Sequence, residues 1–336
     1  MKKAFIFLLG LAVYAATIAV VVIAAAFWWL AGEFRAPGPL KEPALFEVAR
    51  GESLITIAAN LSSAGAIEQP LVFIIGTRIM NAQGDLKAGE YEIAPGMSPR
   101  AIMEKIKAGD VIARRVTLRE GLTSYEVVQI LNGVPELEGV ITDIPPEGSL
   151  LPQTYDYRMG EQRSAIIDRM REGMQKTVDE LWPTRQADLP LASPQEALIL
   201  ASIIEKETGV ADERRRVAGV FINRLRRGMP LQTDPTVIYG ITLGRHENEG
   251  QGPLGRRLLR KDLEADTPYN TYTRPGLTPT PIANPGRASI EAALNPESHD
   301  YLYFVADGSG GHIFARTLAE HNANAAKWRE LRQKKD

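Results

Sequence analysis

Two carboxylates two residues apart, Glu205 and Glu207, end a run that is otherwise mostly aliphatic: Ala197-Leu198-Ile199-Leu200-Ala201-Ser202-Ile203-Ile204-Glu205-Lys206-Glu207-Thr208. At about 100° per residue on a helix, Glu207 falls in line with Leu200, Ile203 and Ile204. Glu205 falls on roughly the opposite side, near Leu198 and Ala201. A carboxyl held against aliphatic side chains loses hydration, so it keeps its proton to higher pH. Such a group suits general acid catalysis near neutrality, as in cleavage of a glycosidic bond. The competing reading is structural, since a glutamate near a helix C-terminus is commonly a solvated end or half of an ion pair.

Two further segments carry side chains suited to a polar substrate. Leu231–Gly240 contains Gln232, Asp234 and Tyr239. Asp234 also reads as a helix N-cap, with Pro235 at the first helical position, and that role competes with binding. Tyr269-Asn270-Thr271-Tyr272 precedes a proline-rich stretch from Pro275 to Pro285. Tyrosine rings can stack on sugars and amides can bond acetamido groups. The same residues also serve to pack a loop without regular structure.

Other chemistries find little support. His246, His299, His312 and His321 form no His-Glu-x-x-His arrangement, so no metal site is expected. Gly308–Gly311 lacks the strand–glycine–helix context of a nucleotide site, and no Gly-x-Ser-x-Gly elbow occurs. The chain has no cysteine, which excludes disulfides, thiolate zinc sites and a cysteine nucleophile. No cofactor is expected. The formal net charge of -2 offers no basic surface for nucleic acid.

The elements that must position these residues follow from caps and periodicity. Ser193-Pro194-Gln195-Glu196 predicts a capping box opening the glutamate helix, and Gly209 is expected to close it. Helical patterns run over Ser164–Leu181, ended by Trp182-Pro183, and over Asp212–Arg227, stopped by Gly228. Val217, Val220, Phe221, Arg224 and Leu225 recur at helical spacing in the second of these. Tyr301–Ala306 predicts a strand, Gly308–Gly311 a turn, and His312-Ile313-Phe314 its hairpin partner. Glu147–Tyr155 and the Gly-rich, charged region 241–266 read as loops.

Upstream, one unit recurs three times: a short alternating strand, a Gly-x-Ser/Thr turn and an amphipathic helix. Gly51, Gly96 and Gly121 supply the turns; Ser53, Ser98 and Thr123 supply the N-caps. The spacing is irregular, so this is not a solenoid. The first two units resemble the lysin-motif (LysM) module, a small β-α-α-β domain that binds N-acetylglucosamine polymers. Ser53–Leu61, Pro70–Met80 and the strand Gly89–Ile93 would form its body, either as a working glycan module or as a shell that binds nothing.

At the N-terminus, Lys2-Lys3 precede an apolar run from Ala4 to Ala31, interrupted only by Gly10 and Thr17. A bilayer needs about 20 residues, and the apolar core of a cleaved signal peptide has roughly 7–15. The run therefore predicts an uncleaved single span. Phe27, Trp28 and Trp29 mark its exit, and the lysines place the N-terminus in the cytoplasm. Arg35–Pro43 is a stiff linker. The expected organisation is a tail over 1–3, an anchor over 4–31, a linker over 32–44, a LysM-like subdomain over 45–115 and a catalytic domain over 116–336. The fold class is α+β: a transmembrane helix, the small β-α-α-β subdomain, then a mixed α+β catalytic domain.

Several runs resemble the endolytic murein transglycosylase family of bacteria. They are Ala201–Thr208, Val220-Phe221-Ile222-Asn223-Arg224-Leu225, Leu231–Gly240, Thr267–Tyr272, and Tyr301–Asp307 with Gly310-Gly311-His312. The resemblance is specific over 197–318 and loose over 44–145. It implies an inner-membrane enzyme with a periplasmic catalytic domain that cuts within peptidoglycan glycan strands. Its products would carry 1,6-anhydro-N-acetylmuramic acid ends, and it would terminate nascent strands. It matches the family's catalytic glutamate to Glu207, with Glu205 as rival, and makes Gln232, Asp234, Tyr239, Tyr269, Asn270 and Tyr272 candidate substrate contacts. Cell-wall synthases are further expected partners. A muramidase and a membrane-tethered glycan-binding scaffold are the alternatives.

Overall fold

A computed structural model describes residues 2–245 and 254–333. Part of the Gly-rich region expected over 241–266, including His246, lies outside the described residues. The chain divides into two compact units, one running up to Arg114 with Arg158–Gly160, the other comprising the remainder. The architecture is mixed α+β, with one long apolar helix at the N-terminus.

In the first unit, α1 (Lys2–Arg35) is followed by β1 (Ala44–Val48), α2 (Leu54–Ser63), α3 (Pro70–Ile79), β2 (Gly89–Ile93) and α4 (Pro99–Ala108). Strands β1 and β2 pair antiparallel, with Phe46 opposite Tyr91. The order β1-α2-α3-β2 is thus strand–helix–helix–strand. Helix α1 is long and apolar enough to cross a membrane. Its last turns leave the apolar run and enter the unit's core, where Phe34 is buried beside Ile57, Leu61, Phe73 and Ile102. Gly76 of α3 permits this approach, because a Cβ there would lie 2.5 Å from the Phe34 ring. The expected linker is therefore shorter than read from sequence: Glu33–Arg35 are still helical.

The second unit comprises β3 (Arg114–Thr117), α5 (Ser124–Asn132), β4 (Thr154–Tyr157), α6 (Arg163–Leu181), α7 (Pro194–Glu207), α8 (Arg214–Arg226), α9 (Asp234–Thr242), α10 (Arg287–Leu294), β5 (Tyr303–Ala306), β6 (His312–Ala315) and α11 (Leu318–Gln333). β5 and β6 form the expected hairpin, with Phe304 opposite Phe314. β4 pairs with β3, so the stretch read as a loop before α6 ends in a strand. Its alternation is only Thr154-Tyr155-Asp156-Tyr157, too short for periodicity to separate from loop. The helical pattern from Asp212 opens as a 3-10 turn over Ala211–Glu213 and becomes α8 only at Arg214.

Local rules hold at the recurring unit. The hydroxyls of Ser53, Ser98 and Thr123 accept the amides of Thr56, Ala101 and Glu126. Each preceding glycine has positive φ: +75° at Gly51, +69° at Gly96 and +76° at Gly121. A Cβ would strain all three turns.

Candidate active site

Helix α7 carries both glutamates and is buried over most of its length. Ser193 caps it by accepting the Glu196 amide at 3.2 Å. The capping box does not close, because the Glu196 carboxylate reaches past Ser193 to the Ala192 amide at 2.7 Å. Every residue from Ala197 to Ile204 is buried. The helix therefore has no solvated side there, and an apolar stripe cannot by itself separate Glu207 from Glu205. The end of the helix also differs from expectation. Thr208 leaves it in extended geometry, and Gly209 has no positive φ.

What separates the glutamates is their partners. Glu205 accepts the Gly286 amide at 2.9 Å, at the N-terminus of α10, and Arg214 lies 3.9 Å from its other oxygen. Its side chain is only 6% exposed. A carboxylate on a helix N-terminus satisfies an orphan amide and the helix dipole, which is a structural role. Glu207 makes no hydrogen bond to any described residue, and its side chain retains partial exposure. It is crowded by protein yet reachable from solvent. Desolvation by burial, reinforced by the Asp234 charge and opposed by Arg224, pushes its carboxyl up to about 8. At neutral pH it holds a proton.

Arg224 of α8 is buried, and its guanidinium ties the site together. Nε donates to Leu302 O at 2.6 Å; Nη1 donates to Pro230 O and Leu231 O at 3.0 Å each and to Gln232 Oε1 at 3.2 Å. Its Cζ stands 5.0 Å from the ring centre of Tyr303. Nη2 has no protein partner among the described residues and is not sealed from solvent. One charged donor is thus left for a ligand. Sequence periodicity put Arg224 among packing residues; a cation on the buried side of α8 was the available signal of another role.

The segment Leu231–Gly240 departs from its expected local structure by one residue. Thr233 occupies the N-cap position, and Asp234 is the first residue of α9, so Asp234 is not the N-cap. It is exposed, and it accepts the Tyr272 hydroxyl at 2.6 Å. Gln232 is exposed with φ of +53°, a conformation costly for a residue with a side chain. Its backbone N–H donates to Thr271 O at 3.0 Å. These bonds join Gln232 and Asp234 to the loop that carries Tyr272. Burial raises the Tyr272 phenol, with further contributions from its bond to Asp234 and from Glu207.

Asn270 corrects an expectation. It is fully buried, and its Nδ2 donates to Leu263 O and Ala265 O while its Oδ1 accepts the Tyr272 amide. It anchors the loop from within and presents nothing to a substrate. Sequence supplied the amide but not the three backbone groups around it.

Tyr239 and Tyr269 form a second cluster, edge to face with ring centres 4.9 Å apart. The Tyr269 hydroxyl meets the Thr280 hydroxyl at 2.9 Å. The tyrosines are accompanied by Glu147, which sequence reasoning passed over as a loop residue. Glu147 accepts the Ser124 amide at 2.9 Å, and burial pushes its carboxyl up to about 7. Lys206 of α7 lies within electrostatic reach of Glu147 and donates to Gly121 O at 3.1 Å. The structure therefore joins Glu207, Asp234, Tyr272, Arg224 and Gln232 in one group, and Tyr239, Tyr269 and Glu147 in another.

The proline-rich stretch is held rigid by two buried polar ties. Ser202 of α7 accepts the Ile282 amide at 3.0 Å. Asn284 accepts the Leu150 amide at 3.0 Å and donates to Leu122 O and Ser124 Oγ. No cluster of three or more metal-ligating side chains occurs among the described residues.

Comparison with known proteins adds the family. Residues 46–327 match the YceG-like family. An endolytic murein transglycosylase of Bacillus subtilis is 33% identical over 311 residues, covering 83% of this chain and 82% of the relative. One from Streptococcus pneumoniae is 28% identical over 329 residues, covering 83% of this chain and 57% of the relative. The crystal structure of a yceG-like protein from Listeria monocytogenes is 32% identical, with a TM-score of 0.52, covering 84% of this chain and 99% of that one. The match spans both the recurring units and the glutamate helix with its surrounding loops, and the chain belongs to the YceG-like family.

Proposed function

We propose that this chain is an endolytic murein transglycosylase whose general acid is Glu207. The observation that carries the reading is the contrast within α7: Glu205 is engaged by the α10 N-terminus, whereas Glu207 is desolvated, protonated near neutrality and reachable. The names of the relatives supply the substrate class.

The chemistry requires one proton shuttle. Glu207 donates its proton to the glycosidic oxygen between N-acetylmuramic acid and N-acetylglucosamine, and that bond breaks. The 2-acetamido group of the muramoyl residue stabilises the oxocarbenium-like centre, as in substrate-assisted glycosidases. Glu207, now a carboxylate, takes the proton of the muramoyl C6 hydroxyl. The hydroxyl oxygen closes on C1, giving a 1,6-anhydro ring with no water consumed. Arg224 Nη2 and the Gln232 side-chain Nε2 are the donors we assign to glycan carbonyl oxygens. Tyr239, Tyr269 and Tyr272 supply aromatic surface for the sugars. The Asp234 charge holds the proton on Glu207 in the free enzyme and stabilises positive charge developing at C1.

Asp234 also gives the hydrolase alternative a specific observation, because a second carboxylate acts electrostatically on Glu207. In a two-carboxylate hydrolase, Asp234 would activate water. Digestion of purified glycan strands in ¹⁸O-labelled water separates the two. A transglycosylase leaves unlabelled 1,6-anhydro ends, within strands as well as at termini. Labelled reducing ends would identify a hydrolase. Glycan binding without cleavage would favour a tethered scaffold.

The remaining parts follow from the same reading. Helix α1 is a retained anchor with the N-terminus in the cytoplasm and the catalytic unit in the periplasm. The β1-α2-α3-β2 region is a LysM-like module that grips polymeric glycan. A reporter fused at the C-terminus should be active only outside the inner membrane; a cytoplasmic signal would refute the topology.

A further inference from the structure

Helix α3 carries an apolar stripe on its outer side. Leu71, Ile75 and Ile79, spaced four residues apart, are 69%, 41% and 54% exposed, while Val72, Phe73, Gly76 and Thr77 face the core. Such spacing keeps the three on one helical face. The stretch Pro70–Ala82 contains no acidic residue, and its one charge is the exposed Arg78. An aliphatic row with a single cation is costly against water and needs a cover.

The position of α3 along α1 identifies the cover. Phe34 packs on Gly76, which fixes where the two helices meet. Phe34 lies five residues past Trp29, the last ring of the exit belt, so the crossing is about 7.5 Å beyond it at 1.5 Å per residue. The polar interface of a bilayer extends roughly 5–8 Å beyond the hydrocarbon on each side. Leu30, still within the run, also packs on this unit's core. With α1 in a bilayer, the crossing at Gly76 therefore sits at headgroup depth, and the stripe of α3 points away from the core.

We propose that the outer stripe of α3 lies in the lipid interface beside the anchor, with Leu71, Ile75 and Ile79 among the upper acyl carbons and Arg78 on lipid phosphates. This rests on reading α1 as a retained anchor. Interfacial helices bind in this way, apolar face down by about 5–10 Å with basic residues at the phosphates. The consequence is a stalk that cannot swivel: α1 and α3 together hold the first unit in one orientation on the membrane.

The absence of native cysteine makes the test direct. The full chain, carrying Leu71→Cys, Ile75→Cys or Ile79→Cys labelled with an environment-sensitive fluorophore, is reconstituted in phosphatidylethanolamine–phosphatidylglycerol vesicles. Val20→Cys in α1 reports on the anchor, and Glu92→Cys on the exposed side of β2 reports on water. Shallow nitroxide lipids should quench the α3 labels several-fold more than aqueous iodide does, with the reverse at Glu92. Iodide quenching of the α3 labels while Val20 remains lipid-quenched would overturn the proposal and leave the anchor intact. Iodide quenching at Val20 as well would refute the anchor reading, and the proposal with it. Shielding of the α3 labels from both quenchers would mean that protein, such as a second copy, covers the stripe, and would also overturn it.

Discussion

Tyr272 donates its hydroxyl proton to Asp234 across 2.6 Å, and this pair keeps a carboxylate charge within electrostatic reach of Glu207. Asp234 opposes the ionisation of Glu207 through space. Arg224 acts in the opposite sense, and desolvation outweighs both. The protonation of the proposed acid is thus set by burial, by Asp234 of α9 and by Arg224 of α8.

The pH dependence of turnover follows. The acid must start protonated, so kcat/KM should fall as pH rises through about 8. Asp234→Asn removes a charge that raises this value, so the alkaline limb should move to lower pH. An unmoved limb in Asp234→Asn would show that another group controls it. The rate measured well below the limb reports separately on any direct contact of Asp234 with the glycan.

The two glutamates should separate by readout. Glu207→Gln keeps size and loses the proton, so turnover should fall by roughly 10²–10⁴-fold with the fold intact. Glu205→Ala leaves the Gly286 amide without its acceptor and Arg214 with one carboxylate fewer. It should lower stability by about 1–3 kcal/mol while the surviving folded enzyme stays active. Activity lost in Glu205→Ala at full stability, with Glu207→Gln active, would reverse the assignment.

Stability should carry the sign of a raised carboxyl. Between the ordinary value of 4.5 and about 8, the folded state holds a proton that the unfolded chain has released. Stability therefore falls with rising pH across that window, in the direction opposite to a salt-bridged carboxylate. Glu207→Gln abolishes this loss. The variant should gain on the order of 4 kcal/mol relative to the parent at pH 8, and little at pH 4. Denaturant titrations at the two pH values test it, and an equal difference at both would remove Glu207 as the cause.

Arg224 should prove structural and functional at once. Arg224→Met strands the carbonyls of Leu302, Pro230 and Leu231, and should cost about 3 kcal/mol. Arg224→Lys retains the charge but not the fork that spans these acceptors. If Nη2 holds a glycan oxygen, the lysine variant should raise KM more than it lowers kcat once folded protein is compared with folded protein. An unchanged KM would confine Arg224 to holding the loop.

Much of the local architecture was legible in the residues. Ser53, Ser98 and Thr123 cap helices because a short side-chain oxygen reaches an orphan amide three residues on, and the glycine two before each supplies the positive φ. The β5–β6 hairpin followed from an aromatic, β-branched run and a glycine turn. These features depend on neighbours within a few positions, which sequence contains in full. Where the nearest neighbours gave weak signals, boundaries slipped: β4 was too short to show alternation, and the α9 cap fell on Thr233.

The choice between Glu205 and Glu207 belonged to the tertiary structure. Periodicity works by contrast between a buried and a solvated face, and α7 has no such contrast from Ala197 to Ile204. Glu205 finds its partner 81 residues away at Gly286, a distance across which sequence spacing carries no geometry. Asn270, a candidate substrate contact that could equally pack its loop, is buried and bonded to three backbone groups of that loop. Arg224, read as packing, reaches carbonyls from two segments that meet only when the chain folds. Residue types determined which acids, amides and cations were available; the folded chain decided which were engaged and which were left free.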